Sequence, residues 1–375
     1  MNVLLLDGNT RQSLPMVKAL SQKGHKVTLL CIRKSDLGYK SRWPTKKLLG
    51  PDPKVNDRAY IDNLLSILQS DKYDILIPLF DYSAEIVSRN KDELGKFTKV
   101  AVNDWDIFVK ARNKLYTMRE CENAQIPHPK TIFSDDPIDE TKKKLSAPVV
   151  VKPKIGDSAK GFHRVDNLVD LEKIYNYTEE KYGNAFIQEY IPQDDLQYKC
   201  ELYVDKNSNL IAAIVFAKIR WYPIDGGSST LNVTVDRLDI IDICYNLVKN
   251  INWVGYADVD LIQDPRDNLP KVMEINPRIT GSVKIAFKAG IDFANIIVND
   301  TVNGKLNVQN GYEKGIYLRF FHKDILWFFK SPDRFRTNPS WFNFRNTCDQ
   351  IIDFSDPLPS IFFTYQSLSQ LFKDR

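Results

Sequence analysis

The sequence predicts an open parallel α/β domain, then an α+β region, then an aromatic-rich C-terminal extension. Three observations predict this. The opening stretch reads strand, helix, strand over ~30 residues, the signature of a βαβ unit and hence of a parallel sheet. Later apolar runs sit in neighbouring pairs around Asn- and Asp-containing turns, the pattern of antiparallel hairpins. Residues 311–375 then carry a dense run of Phe and Trp. A chain of 375 residues is also too long for one ordinary core. The divisions expected are 1–105, 106–310 with a lid at about 120–188, and 311–375.

Val3–Leu6 is an apolar run ending at Asp7-Gly8-Asn9, followed by helical spacing through Leu14, Val17, Ala19 and Leu20. Gly24 ends that helix and Val27–Leu30 begins a second strand, with further strands at Ile75–Leu79 and Val100–Val102. A helix carrying Lys110, Arg112 and Lys114 leads to the extended Ile126-Pro127-His128-Pro129. Val149–Lys152 and Phe186–Ile191 read as strands, Cys200–Val204 and Leu210–Ala217 as a hairpin, and Asp236–Ile251 as a helix. Gly255–Gln263 and Lys271–Ile275 read as a second hairpin.

The composition is that of a folded globular chain: 43% hydrophobic and 27% charged, with a net charge of +4. So small a charge excess, without a basic stripe, gives no case for nucleic acid as partner. Five scattered cysteines without a CxxC pair read as reduced thiols, and the four histidines lack metal-ligand spacing. No segment reaches the ~20 apolar residues of a membrane span, and the expected location is cytoplasmic. The turn after the first strand lacks the second and third glycines of a dinucleotide fingerprint.

The stretch Met273-Glu274-Ile275-Asn276-Pro277-Arg278 is the most informative. On a strand, Glu274 and Asn276 share a face, as do Asp258 and Asp260 upstream. If the two strands pair, the carboxylates collect on one patch, where their repulsion calls for a hard cation such as Mg2+. Lys152 ends an apolar strand, where burial is costly unless an anion meets it. The loop after it, Gly156 through Ser158 to Gly161, either offers N–H groups to phosphate or is a plain hairpin tip. Phe162 and His163 stand where a P-loop needs Lys and Ser/Thr. Gln188-Glu189-Tyr190-Ile191 reads either as a hinge edge for adenine or as an ordinary strand end.

In this order, Asn113-Lys114, Val149–Pro153, Gln188–Ile191, Asp258-Val259-Asp260-Leu261 and Glu274–Arg278 resemble the ATP-grasp superfamily. The branch resembled is that of carboxylate-amine ligases and carbamoyl-phosphate-synthetase-like enzymes. The resemblance covers about Val3 to Val308 and implies a pre-ATP-grasp α/β domain followed by an ATP-grasp fold. It implies an ATP-dependent ligase that converts a carboxylate to an acyl phosphate and joins it to an amine. Its cofactors would be ATP and Mg2+, with Mn2+ as a substitute, and its partners a small-molecule carboxylate and amine.

The resemblance also assigns roles. Lys114 and Lys152 would neutralise phosphates under the Gly156–Gly161 loop, Ser158 included. Glu189 and Ile191 would meet adenine through the backbone, with Tyr190 orienting the hinge. Asp260, Glu274 and Asn276 would hold the metal, and Arg278 the transferring phosphoryl group. Arg220, with Gly226-Gly227-Ser228, would be a substrate-side or phosphate-side group. Asp195, Gln197 and Glu201 are candidates for the ribose, and the hinge loop departs from the family in lacking its usual glycine. Other readings are a bicarbonate-activating enzyme of the carbamoyl-phosphate-synthetase or biotin-carboxylase type, and a non-catalytic nucleotide-binding module. The N-terminal turns Gly8–Arg11 and Phe80–Tyr82 follow strands at the carboxyl edge, where such sheets bind ligands. The C-terminal aromatics read as a cap on the core, or alternatively as a self-associating or membrane-touching surface around Trp327–Lys330, Arg334 and Arg336.

Overall fold

The first strand, β1 (Asn2–Leu5), has no polar alternation because both its faces are covered. Val3 and Leu5 enter one core cluster and Leu4 enters another, which is why a continuous apolar run folds as a central parallel strand. The computed structural model describes residues 1–156, 160–192, 196–224, 227–304 and 306–373. Around β1 stand β2 (Lys26–Cys31), β3 (Lys46–Leu49), β4 (Ile75–Ile77) and β5 (Lys99–Val100), all parallel, in the order β3-β2-β1-β4-β5. Strand succession therefore reverses between β1 and β4, opening a crevice beyond their carboxyl ends. Asp7 ties that crevice together: its Oδ2 accepts from the N–H groups of Leu79 and Phe80 at 2.9 and 3.0 Å and from Ser83 Oγ.

Asn113 divides what the sequence suggested as one helix. Its side chain caps the next turn, accepting from Leu115 N and Tyr116 N, so Trp105–Arg112 and Lys114–Asn123 are separate helices with Lys114 first in the second. A small sheet follows: β6 (Val149–Pro153), β7 (His163–Val165) and β8 (Ala185–Glu189), with β6 central and antiparallel to both.

The large sheet contains β9 (Gln197–Val204), β10 (Leu210–Tyr222), β11 (Ser228–Thr234), β12 (Gly255–Asp264), β13 (Leu269–Asn276), β14 (Tyr317–Arg319) and β15 (Thr347–Asp349). Its order is β13-β12-β9-β10-β11-β14-β15. The C-terminal residues thus extend this sheet by two strands as well as covering it. Leu202, Val215, Val259 and Leu261 face one core cluster, while Tyr203, Ile214, Phe216 and Tyr256 face the other. The second face becomes polar at one end. Among the described residues, no helix is long and apolar enough to cross a membrane.

Candidate active site

The two strands expected to pair do so: in the antiparallel β12–β13 register Asp258 opposes Asn276 and Asp260 opposes Glu274. On the other side of β12, Asp258 opposes Glu201 and Asp260 opposes Lys199 of β9. Strand pleating therefore brings Lys199, Glu201, Asp258, Asp260, Glu274 and Asn276 to one face.

Within this group the charges are largely neutralised by lysines. Lys199 Nζ is hydrogen-bonded to Asp258 and lies 3.2 Å from Asp260 Oδ2. Lys218 of β10 reaches Asp260 Oδ1 at 2.6 Å, and Asn276 Nδ2 donates to Asp260 Oδ2 at 2.9 Å. Burial works against the Asp260 charge, but Lys199 and Lys218 hold its carboxyl well below the usual range. Burial, followed by the nearby Asp258, pushes Glu201 up to about 8, although Ser282 Oγ donates to it at 2.8 Å.

Two lysines, Lys114 and Lys152, lie beside these carboxylates. Lys114 Nζ donates to the Gly156 carbonyl at 2.8 Å and lies 3.1 Å from Glu274 Oε2, linking the loop after β6 to β13. Lys152 is 7% exposed, with its amine 5.2 Å from the Phe186 ring centre. Burial pushes it down to about 8, Lys114 adding to the effect and Glu274 opposing it. Gly161 has φ +75, and a Cβ there would come 2.9 Å from the Tyr182 ring, so a glycine is required. Ser158 and Asp195, and Gly226 of the loop beyond β10, lie outside the described residues.

Arg278 is held by the N-terminal domain. Its Nε and Nη2 lie 2.9 and 2.8 Å from Asp81 Oδ2, just beyond β4, and Arg112 Nη1 lies 3.7 Å from Asp81 Oδ1. Although burial opposes the charge, Arg278 and then Arg112 keep the Asp81 carboxyl below its ordinary value.

At the hinge, Glu189 commits its side chain to Lys130 N at 2.8 Å and Arg266 Nη2 at 3.0 Å. The N–H groups of Glu189 and Tyr190 donate to the carbonyls of Lys130 and Pro148. Arg164 covers the Tyr190 ring at 4.4 Å, and Ile191 is buried. A cavity of about 550 Å3 opens here, lined by Lys130, Pro148, Arg164, Glu189, Tyr190 and Arg266 among others. It does not include Lys114, Lys152 or Glu274. Gln197 accepts from Lys218 at 3.4 Å and so sits near Asp260.

Arg220 is the principal correction. A register irregularity in β10 between Lys218 and Arg220 separates the two side chains. Arg220 is 2% exposed, its Nε lies 3.2 Å from Asp324 Oδ1, and its guanidinium stacks on Trp327 at 5.0 Å. Arg319 shares Asp324 at 3.5 Å. Arg220 is therefore part of a buried ion cluster beneath the helix Phe321–Lys330, apart from the polar face. A second adjustment concerns the metal ligands. Among the described residues no cluster of three or more His, Cys, Asp or Glu side chains could hold an ion. With Asp260 engaged by two ammonium groups, the hard oxygens that remain suitable are those of Glu274 and the Asn276 amide, whose N–H side faces Asp260. One carboxylate and one amide oxygen are hard donors of the kind that Mg2+ accepts alongside phosphates and water.

Lys199 and Lys218 escaped the sequence reading, and Asp81 entered it only as part of the Phe80–Tyr82 turn, because their partners lie on distant segments that no local pattern specifies. The alternation of Lys199 and Glu201 with Cys200 and Leu202 was the only signal available.

A family model described as an ATP-grasp domain matches residues 111–282. Residues 111–282 therefore form an ATP-grasp domain. The chain is 26% identical over 285 residues to the D-aspartate ligase of Enterococcus faecium, covering 68% of itself and 66% of that protein. It is 33% identical over 170 residues to the alpha-aminoadipate–LysW ligase of Saccharolobus solfataricus, covering 42% and 62%. The matches thus span about two thirds or less of these curated relatives' own length. Among solved structures, the biotin carboxylase of Campylobacter jejuni superposes with a TM-score of 0.70 at 15% identity, covering 84% of this chain and 74% of that one. The L-amino acid ligase of Bacillus licheniformis gives 0.62 at 18% identity, covering 80% and 74%. Both superpositions show the ATP-grasp fold.

Proposed function

We infer that this chain is an ATP-dependent ligase that activates a carboxylate as an acyl phosphate and couples it to an amine. The observation that carries this reading is the meeting of Lys114, Lys152, Glu274 and Asn276 at one polar sheet end, with Arg278 reaching it across the domain junction. The similarity to proteins named D-aspartate ligase and alpha-aminoadipate–LysW ligase supports the same chemistry. The other readings, bicarbonate activation and a non-catalytic module, are not better supported.

A carboxylate resists amines because its leaving group would be oxide. Attack of one carboxylate oxygen on the γ-phosphorus breaks the bond to ADP and installs phosphate as a leaving group. Lys152 and Lys114 hold the phosphates, and Arg278, fixed by Asp81, faces the charge that develops on the transferring group. Mg2+ held by Glu274 and Asn276 would supply further charge neutralisation there. The amine then attacks the acyl carbon and phosphate departs with the C–O electron pair. The Glu189 carbonyl and Ile191 amide are assigned to the adenine edge, since the neighbouring N–H groups are already engaged.

The test is ADP release with ATP and a panel of acid–amine pairs: turnover that needs both partners supports the ligase. ATP hydrolysis indifferent to every pair would refute it. Glu274→Ala should abolish turnover while leaving the melting curve unchanged, and full activity in that variant would contradict the site.

The C-terminal region adds a contact surface. Phe329, Phe335, Phe342 and Phe344 are 71, 70, 60 and 53% exposed around the Phe328–Trp341 stack, with Lys330, Arg334, Arg336 and Arg345 interspersed. Exposed rings among cations suit an anionic bilayer surface. Flotation with phosphatidylglycerol vesicles, lost in a Phe329→Ser/Phe335→Ser double variant, is the expected outcome. Self-association without vesicle binding would contradict it.

A further inference from the structure

Beyond β1, at the point where strand succession reverses, Arg11 enters the crevice next to the polar sheet end. Its Nη1 donates to Gln350 Oε1 at 2.5 Å, and its guanidinium lies 4.4 Å from the Phe320 ring centre. Lys323 lies over the same ring at 6.0 Å. Gly281, three residues after Arg278, faces the guanidinium: a Cβ there would stand 3.6 Å from Arg11 Nη2. Among the described residues no carboxylate lies within ion-pair distance of Arg11. Asp349 is the acidic group that stabilises its charge, yet the Asp349 oxygens already accept from the N–H groups of Phe321, Ile351 and Ile352. Arg278 is close enough to raise the cost of the Arg11 charge, and burial pushes Arg11 down to about 10. The helix Ser13–Gln22 begins beside Arg11 with no acidic residue in its first turn and no side-chain cap at Gln12.

Three cations from three parts of the chain thus converge: Arg11 from the N-terminal domain, Arg278 from beyond β13 and Lys323 from the C-terminal region. Asp81 neutralises Arg278, but Arg11 has only the amide-capped Asp349, and Lys323 is pushed down by burial and by Arg11. A crowded cation without its own acid is unfavourable until an anion arrives. Among the described residues only Nη1 of Arg11 has a hydrogen-bond partner, and the donors that remain suit the planar geometry of a carboxylate.

We propose that Arg11 is a specificity-determining residue that binds a second, non-reacting carboxylate of the acid whose reacting carboxylate lies at Arg278. The substrate class is therefore a dicarboxylic acid or an acidic amino acid. This rests on the ligase reading and adds the identity of the acid to it.

Hydroxylamine can replace the unknown amine, trapping the acyl phosphate as a hydroxamate. Aspartate and glutamate of both hands, succinate, alanine and acetate are the acids, with ATP and Mg2+ present. Dicarboxylates should give hydroxamate at a kcat/KM at least roughly tenfold above monocarboxylates. Arg11→Met should raise the KM for the acid by roughly 10- to 100-fold while leaving the KM for ATP unchanged, and Arg11→Lys should recover part of the loss. Gly281→Ala places a methyl group at ordinary contact distance from the guanidinium, so it folds and should raise the acid KM in the same direction. Equal use of monocarboxylates, or an unchanged acid KM in Arg11→Met and Gly281→Ala, would overturn the proposal while leaving the ligase intact. A rise in the KM for ATP instead would reassign Arg11 to the nucleotide and overturn it too. Hydroxamate from none of the acids would overturn the ligase reading itself.

Discussion

Lys152→Met separates the cost of a buried cation from its use. Lys152 is 7% exposed and makes no ion pair among the described residues; burial and Lys114 bring its amine from 10.5 down to about 8. That difference corresponds to roughly 3 kcal/mol of unfavourable interaction that an incoming triphosphate can relieve. Removing the charge should therefore make the free protein more stable at pH 7, by at most roughly 3 kcal/mol, since the interior relaxes around such groups. The same variant should bind a non-hydrolysable ATP analogue roughly 100-fold more weakly.

The pH dependence has a defined sign. In the unfolded chain the amine titrates near 10.5, and in the folded chain near 8. Between these values the unfolded state binds more protons, so this group makes stability rise with pH. The stability gap between variant and parent should be full below pH 8 and close as pH rises through 10.5. Urea denaturation across that range, with calorimetric titration of the analogue at pH 7, measures both quantities. A variant that binds the analogue as tightly as its parent, or is less stable at pH 7, would refute the reasoning.

Asp324→Asn should leave Arg220 buried without a counter-charge and Arg319 with only Asp349, and cost roughly 3–5 kcal/mol of stability in urea melts, with the KM for ATP unchanged at temperatures where it remains folded. A comparable loss is expected for Lys199→Met, which strands the fully buried Asp258, and a melt within about 1 kcal/mol of the parent would contradict the pairing. Asp81→Asn removes the charged anchor of Arg278; kcat should fall by roughly tenfold or more while analogue affinity is retained, and an unchanged kcat would count against the anchoring role.

The legible parts of the fold were those whose local pattern agrees with their environment. β1 reads as a buried parallel strand because both of its faces are apolar, and the β12–β13 hairpin announces itself by alternation around the Pro265–Asn268 turn. β11 was missed because polar residues are buried on it together with apolar ones: Thr230, Asn232 and Thr234 are buried beside Leu231, which the usual polar-out pattern does not foretell. β14 and β15 are three residues each, too short to show a period. Within the site, Glu274 and Arg278 were visible because one short segment carries them both. Lys199, Lys218, Asp81 and Arg11 act through partners on other strands or domains, and such contacts exist only after the sheet has chosen its register. Arg220 misled for the same reason, since an irregularity in β10 decides which way it turns.

Oxygen transfer tests the central chemistry most directly. With the acid labelled by 18O in its reacting carboxylate, formation and aminolysis of an acyl phosphate must leave one labelled oxygen in the released phosphate. The account predicts one 18O atom per phosphate in every productive turnover. Phosphate free of label, with the isotope kept wholly in the acid and amide, would contradict it.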